Sequence, residues 1–477
     1  MSDQSKASSK SPRGEPQAGG ASPPSVSRGN SLTPPDGEKV KKRSNFRREA
    51  VADQRRAASI YRMHRDKALA NGVEPSALDD RKSPDALPAR GVTMCGLAQI
   101  KDMDTEQWRV ERPQGFHSFF TGLHRCGLRN ACPICTGVKA EADRASINDG
   151  LAAGRKRGLF PVMITLTARH SRRDDPEKLL NAIRAAEQGL KDKKAWKRLK
   201  LRMAGYARVL EWTYGDRGHH PHYHIVALIR AGSEVEAVEA AEGLRDTYLR
   251  GLAAVGRDGR SVAARQHAFQ VQGAATVARY MTKWGLAEEM TGAQAKDEGG
   301  LTQWQLLRLS RTSATEAERA KYAALWWDII KALAGKAQLY KSEGWKALVS
   351  EWREENPPEP KPEPQFVTGY GRREKGVPVS EMWGAGQTKT LALREAAEAH
   401  PDLDRARFAV WDALHNGQTD REIIRSLTDD DRGQVVEDDE AEPFSAEDLA
   451  VMPDDGDGAG DPDETHGRSR GAGRSPP

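Results

Sequence analysis

Residues 205–229 read GYARVLEWTYGDRGHHPHYHIVALI. Two runs rich in β-branched and aromatic residues, 205–214 and 222–229, flank GDRGHHP, a segment of turn-forming residues, so the whole reads as an antiparallel hairpin. With the turn centred between Asp216 and Arg217, Glu211 falls opposite His222, and paired residues project to the same face. Alternate residues of a strand also share a face, which adds His224. Two imidazoles and a carboxylate can share one metal ion and leave positions open for a substrate oxygen. The competing reading is a polar strand face with no metal. His219 and His220 fall in the turn, either as substitute ligands or as solvated side chains.

The flanking sequence supplies the remaining elements. FPVMITLTA (160–168) is short, apolar and β-branched and predicts a strand, and QHAFQVQ (266–272) predicts another. Residues 176–199 read as helix. Residues 233–256 form an amphipathic helix that Ser233 caps and Gly256 stops. ATVARYMTKWG (275–285) reads as a helix ending at glycine. The order β-α-β-β-α-β, then a helix, predicts an α+β fold of the split-βαβ, ferredoxin-like kind, an antiparallel sheet with helices on one face.

Tyr280 and Lys283 lie three apart on the last helix and so share its face. A tyrosine hydroxyl has an ordinary pKa of about 10, and a neighbouring ammonium and a metal-bound phosphate would ease its ionisation for attack on phosphorus. Such a spacing is common in structural helices. Its weight comes from following the histidine strand.

All four cysteines precede this region. Cys126, Cys132 and Cys135 lie within ten residues, and Cys95 lies upstream. Four thiolates can close a tetrahedral structural zinc site, with His117 and His124 as fallback ligands if Cys95 is too distant. The alternative is four free thiols. So few cysteines in 477 residues are no disulfide scaffold, and a reducing cytoplasm is expected.

Residues 429–464 carry sixteen acidic residues and one arginine, so the rest of the chain has a net charge of +20. A basic body suits a polyanion, with nucleic acid the leading candidate, and the acidic tail is expected to compete for that surface. No apolar run approaches the roughly 18 residues of a membrane span, and the Ser-, Pro- and Lys-rich start lacks an apolar signal segment. The organisation expected is a disordered, basic N-terminal region over 1–90 that includes a basic helix at 46–72. A Cys-rich zinc-binding segment follows over 91–150, then a catalytic region over 151–300 and a helical extension over 301–350 packed around Trp326 and Trp327. A Pro-rich linker over 351–385, a small helical segment over 386–428 with a capping box at 419–422, and a disordered acidic tail over 429–477 complete the chain.

His222-Tyr223-His224 resembles the signature of the HUH endonucleases, Tyr280-x-x-Lys283 their nucleophile motif, and Ile164-Thr165-Leu166-Thr167 their first motif. More closely, residues 91–350 resemble plasmid rolling-circle replication initiators (Rep proteins) of the single-tyrosine type. The matching pieces are MCG (94–96), RCGLRNACPIC (125–135), ITLTARH (164–170), AW (195–196), HPHYH (220–224), YMTKWGLAEEMTG (280–292), QLL (305–307) and WW (326–327). The ordered set is specific where the HUH motif alone is weak.

The resemblance implies an HUH-like fold that binds a double-strand origin and nicks one strand, single-stranded at the nick, through Tyr280. It would leave a 5′-phosphotyrosine and a free 3′-OH. It also implies Mg²⁺ or Mn²⁺ at Glu211, His222 and His224, a phosphate-contacting Lys283, and a host helicase, polymerase and single-strand-binding protein as partners. Some single-tyrosine initiators carry a carboxylate one turn before the nucleophile. Here that position is Thr276, which leaves Glu288 or Glu289 as candidate acids or a different termination. Trp284, one turn after Tyr280, argues against a two-tyrosine scheme.

Three other functions compete. A relaxase normally places its tyrosine before the histidine strand, whereas Tyr280 follows it. An HUH transposase keeps the order found here. A non-catalytic zinc protein that only binds DNA would not need Tyr280. A metalloprotease is disfavoured because the chain has no HExxH helix.

Overall fold

The computed structural model describes residues 37–80, 83, 85–98, 100, 103, 105–112, 115–283, 300–357, 360, 362–370 and 386–415. The capping box at 419–422 and the acidic tail lie outside them.

The central sheet is antiparallel. Its strands β3 (Phe160–Leu166), β4 (Met203–Gly215), β5 (Gly218–Ile229), β6 (Phe269–Gln272) and β7 (Leu301–Thr302) are ordered β6-β3-β5-β4-β7, and β8 (Leu339–Lys341) pairs with β4. The first four strands reproduce the expected β-α-β-β-α-β order, and the fold is mixed α+β. Only Asp216 and Arg217 separate β4 from β5. His219 and His220, read as turn residues, are therefore paired strand residues opposite Tyr214 and Thr213. The turn needs glycine at 218, where φ is +95° and a Cβ would come 2.9 Å from Arg172 Cα.

Helices cover both faces of this sheet, not one. Val162, Ile164 and Leu166 of β3 and Ile225, Ala227 and Ile229 of β5 pack on α4 (Pro176–Lys191), α6 (Glu234–Glu242) and α7 (Arg245–Ala254). Met163, Ala207, Val226 and Leu228 point the other way. They pack with Ile147 of α3 (Pro133–Lys156), Val277 of α9 (Ala274–Lys283) and Trp345 and Leu348 of α12 (Glu343–Glu355). Both sets of alternate positions are apolar, so the sheet needs cover on both sides.

Three further boundaries differ. The helix expected over 176–199 breaks at Lys193, and α5 (Lys194–Arg202) resumes it to bury Trp196 and Leu199. The 233–256 helix breaks after Gly243 into α6 and α7, while Ser233 caps as expected by accepting from Glu236 N. The strand expected at 266 begins at Phe269, because Ser261 caps a short helix α8 (Val262–His267).

Residues 37–80 are not a disordered appendage. Helix α1 (Gly37–Ala70), followed by the short α2 (Pro75–Asp79), buries Ala57, Ile60 and Tyr61 in the main core. Its Asp53 accepts from Arg308 at 3.0 Å and Arg311 at 3.2 Å on α10 (Gln303–Thr312). His64 stacks on Trp327 of α11 (Glu316–Leu333) at 4.2 Å. Trp326 and Trp327 are buried, as expected.

The 351–385 stretch is not only a linker, because it supplies β9 (Gln365–Tyr370) to a second sheet ordered β2-β1-β9. Here β1 is Thr105–Arg112 and β2 is Gly115–Thr121. The helical hairpin α13 (Gly386–Glu398) and α14 (Leu403–His415) covers that sheet through Leu393, Val410 and Leu414. Buried Arg109 locks it by donating to Gln365 Oε1 at 2.8 Å, His400 O at 2.7 Å and Pro401 O at 3.0 Å.

A Cβ on Gly205 would meet Trp345 N at 2.5 Å, backbone against backbone. Gly205→Ala should therefore lift α12 off β4 and cost about 1–3 kcal/mol of unfolding free energy. Urea denaturation checks this, and an unchanged midpoint would show that the approach is not tight.

Candidate metal centres and the tyrosine helix

Glu211 pairs with His222 across the β4–β5 hairpin, as expected. Both imidazoles direct Nε2 at one carboxylate oxygen: His222 lies 3.2 Å and His224 3.3 Å from Glu211 Oε2. The other ring nitrogens are held from behind. His222 Nδ1 meets His220 O at 3.2 Å, and His224 Nδ1 meets Thr165 Oγ1 at 2.9 Å. Held in this way, both rings present Nε2 toward the Glu211 carboxylate, the arrangement a shared ion would use. Octahedral bonds of about 2.1 Å place neighbouring ligand atoms about 3 Å apart, so the three side chains fit one ion on one side and leave its other side open. Burial alone would raise the Glu211 carboxyl, but the charge and hydrogen bonds of His224 and His222 hold it well below the usual carboxylate range.

The neighbouring histidines divide by face. His219 points to the opposite side, where Trp212 Nε1 donates to its Nδ1 at 3.2 Å, so it is neither solvated nor a ligand. His220 shares the ligand face but bonds Thr167 Oγ1 at 3.0 Å and stacks on His170 at 4.6 Å. Burial, then His222 and His170, push His220 down to about 3, so it stays neutral. The roles of Thr165, Thr167 and His170 were not read from sequence. The alternation in ITLT, which places both threonines on the face of His224, was the available signal.

Helix α9 packs on the ligand face, since its buried Val277 sits with Met163 and Val226. Glu234 anchors its start by accepting from Ala274 N at 2.7 Å. Tyr280 and Lys283 follow Val277 by three and six residues on this helix. Their side chains, and Trp284, Glu288 and Glu289, lie outside the described residues.

The four cysteines are brought together and buried, with all four sulfurs within 4.8 Å of one another. Backbone bonds from Gly96 N to His124 O (2.8 Å) and His124 N to Ala98 O (2.7 Å) carry Cys95 to Cys126 despite their separation in sequence. Cys132 sits at the N-cap position of α3 and Cys135 lies in its first turn. Cys135 Sγ is 3.4 Å from Cys95 Sγ and 3.6 Å from Cys126 Sγ. These spacings are too long for disulfides and near the roughly 3.8 Å edge of a tetrahedron with metal–sulfur bonds of about 2.3 Å. Hydrogen bonds from Cys126, Cys132 and Cys95 pull the Cys135 thiol below its ordinary value, while hydrogen bonding and burial push Cys132 up. His117 is paired with Val110 in the second sheet and is not needed as a ligand, nor is His124.

No helix among the described residues is long and apolar enough to cross a membrane. No family model matches the chain. No solved structure matches it. A neomycin resistance protein of Streptomyces cyanogenus is 27 % identical over 140 residues, which cover 24 % of this chain and 32 % of that protein. The match spans about a third of that relative's length.

Thr165→Val would release His224 and should weaken divalent-ion binding by about 10–100-fold. His219→Gln, on the opposite face, should leave it unchanged. Loss of the free Mn²⁺ paramagnetic resonance signal reads both, and wild-type binding by Thr165→Val would remove the supporting role given to that hydroxyl.

Proposed function

We propose that the chain is an HUH-type DNA strand-nicking and rejoining enzyme that acts as a rolling-circle replication initiator. One observation carries this reading: both histidine Nε2 atoms converge on one Glu211 oxygen, on the sheet face where the Tyr280 helix packs. A Mg²⁺ or Mn²⁺ ion held there would supply Lewis-acid polarisation of the scissile phosphate. Glu211, His222 and His224 orient that phosphate. The Tyr280 Oη–phosphorus bond forms as the bond from phosphorus to the 3′ oxygen breaks. The tyrosine proton is lost and the departing oxygen gains one, which leaves a 5′-phosphotyrosine and a 3′-OH. Lys283 offsets the charge on the phosphate. One phosphodiester replaces another, so attack by a 3′-OH can reverse the step without ATP.

The 3′-OH suits a polymerase as primer, which makes host polymerase, helicase and single-strand-binding protein the partners of this reading. The Cys95, Cys126, Cys132 and Cys135 cluster is assigned a structural Zn²⁺, since four thiolates leave no open position for chemistry. We expect one zinc per chain by elemental analysis, and its loss together with a lowered melting temperature in Cys132→Ser. Metal-free protein of unchanged stability would remove that assignment.

The nicking reaction is tested with purified protein, Mn²⁺ and single-stranded fragments tiling its replicon. An SDS-resistant protein–DNA adduct should form, and vanish in Tyr280→Phe and in EDTA. An adduct that persists in Tyr280→Phe would displace the nucleophile. Tight DNA binding without any adduct would favour the non-catalytic zinc protein.

A further inference from the structure

A cluster of arginines lies away from the histidine strand, where α1, the cysteine segment and α13 meet. Arg47 of α1 spends Nη1 on both oxygens of Glu398, at 2.7 Å each, and Glu398 also accepts from Ser118 N at 2.5 Å. Its Nη2 is buried with no hydrogen-bond partner. Arg394, one turn before Glu398 on α13, has a buried Nε with no partner, and its guanidinium lies 5.5 Å from the Phe120 ring. Exposed Arg125 adds a third guanidinium, whose Nη1 lies 3.4 Å from the Cβ position of Gly96. The neighbouring Arg48 is matched by its own carboxylate, since it binds Glu395 at 3.1 Å and 2.7 Å. Arg47 and Arg394 thus both depend on Glu398, whose oxygens are already engaged, and Arg125 adds a third positive charge beside Arg394.

Leaving buried N–H groups without acceptors costs about 1–3 kcal/mol each, and more on a charged group. Like charges add to that cost. Burial, then Arg125 and Arg47, pull the Arg394 guanidinium down to about 9 against the weaker pull of Glu398. An anion with several acceptor oxygens would relieve both penalties, and guanidiniums match phosphate in the paired geometry that a lysine lacks. Arg125 is exposed, so such an anion meets its guanidinium from solvent.

We infer that Arg47, Arg125 and Arg394 form a phosphate-binding site that seats a backbone phosphate of duplex DNA, apart from the Glu211–His222–His224 centre. This rests on the reading that the chain acts on DNA. The net charge of +20 outside residues 429–464 favours a polyanion over an acidic peptide of similar local chemistry. The site would hold duplex at the seam between the cysteine segment and the C-terminal hairpin while the strand to be cut engages the other centre.

The test uses the full chain in a Tyr280→Phe background, so that the DNA stays uncut, with a labelled duplex followed by fluorescence anisotropy across salt concentrations. Each lost phosphate contact should reduce the slope of log affinity against log salt by about 0.9. We expect that reduction in Arg394→Gln and in Arg125→Gln, with unchanged melting temperatures. Arg125 is exposed, so its variant keeps the test valid if Arg394→Gln misfolds. Wild-type slope and affinity in both variants would overturn the inference. Inorganic phosphate is titrated in parallel against chloride at equal ionic strength. Stabilisation by phosphate that Arg394→Gln abolishes, with wild-type duplex binding retained, would assign the site to free phosphate and overturn the DNA assignment. Duplex binding absent from every variant and from the parent would overturn the proposed function as well. A normal adduct assay with unchanged salt slopes would overturn this inference alone.

Discussion

The two-residue connection between β4 and β5 is the constraint from which the histidine site follows. With Asp216 and Arg217 alone in the turn, Glu211 must stand opposite His222, and His224 must project beside them. A slip of one residue would turn the histidines toward the Tyr223 side, into the core with α4. That slip is opposed on both faces, because Ile225, Ala227 and Ile229 would exchange places with Val226 and Leu228 against two differently shaped layers. Arg208 adds a polar lock on the side away from the ligands, donating to buried Glu187 at 2.9 Å beneath the Tyr223 ring. The α4 layer cannot shift without stranding this buried charge, and removing one partner of such a pair is costly. The ligand geometry is thus held by packing that includes no ligand.

What the sequence disclosed depended on the range of the interaction. The hairpin register follows from a local turn, and the cysteine site from three thiols within ten residues, so both could be read directly. Cover on the second face could not be assigned, although the continuous apolar run from Ile225 to Ile229 hints at burial on both sides. The covering residues, Ile147, Val277 and Trp345, come from three distant segments. Helix α1 answers to the basic helix expected at 46–72, but its docking on the core is not legible from sequence. Its Glu49 and Asp53 look like solvated charge until Arg308 and Arg311, more than 250 residues away, neutralise them. Strand β9 hides in a Pro-rich stretch because its partner β1 is equally remote. The side chains of Tyr280 and Lys283 rest on resemblance and on the placement of their helix alone.

The cysteine cluster also works as a junction. Gln54 of α1 donates to Val92 O at 3.1 Å and to Cys95 O at 2.7 Å, so the N-terminal helix reads the backbone of a cluster residue. Cys132 starts α3, which in turn covers the second face of the central sheet beside Trp345. On the other side, the chain leaving β2 runs through His124 into Cys126 and links the cluster to the sheet that Arg109 locks to the C-terminal hairpin. An ion closing four thiolates would therefore tie three packing units at one point. Loss of it would be felt at α1 and α3 together, not as a local fray.

The two donor sets suit opposite tasks for reasons that lie in their ligands. Four thiolates satisfy a tetrahedral ion completely, bury it, and leave no position for a reactant. Glu211, His222 and His224 supply three hard or borderline donors from one side only, on a hairpin whose Glu211 is still partly exposed. An ion bound there keeps part of its coordination for oxygen ligands from outside the chain. The polar support is concentrated accordingly: Thr165 and the backbone of His220 orient the two ligand rings, and Thr167 holds His220 beside them. Partners that fix ring orientation and tautomer raise a metal site's affinity, and here they act on both rings at once.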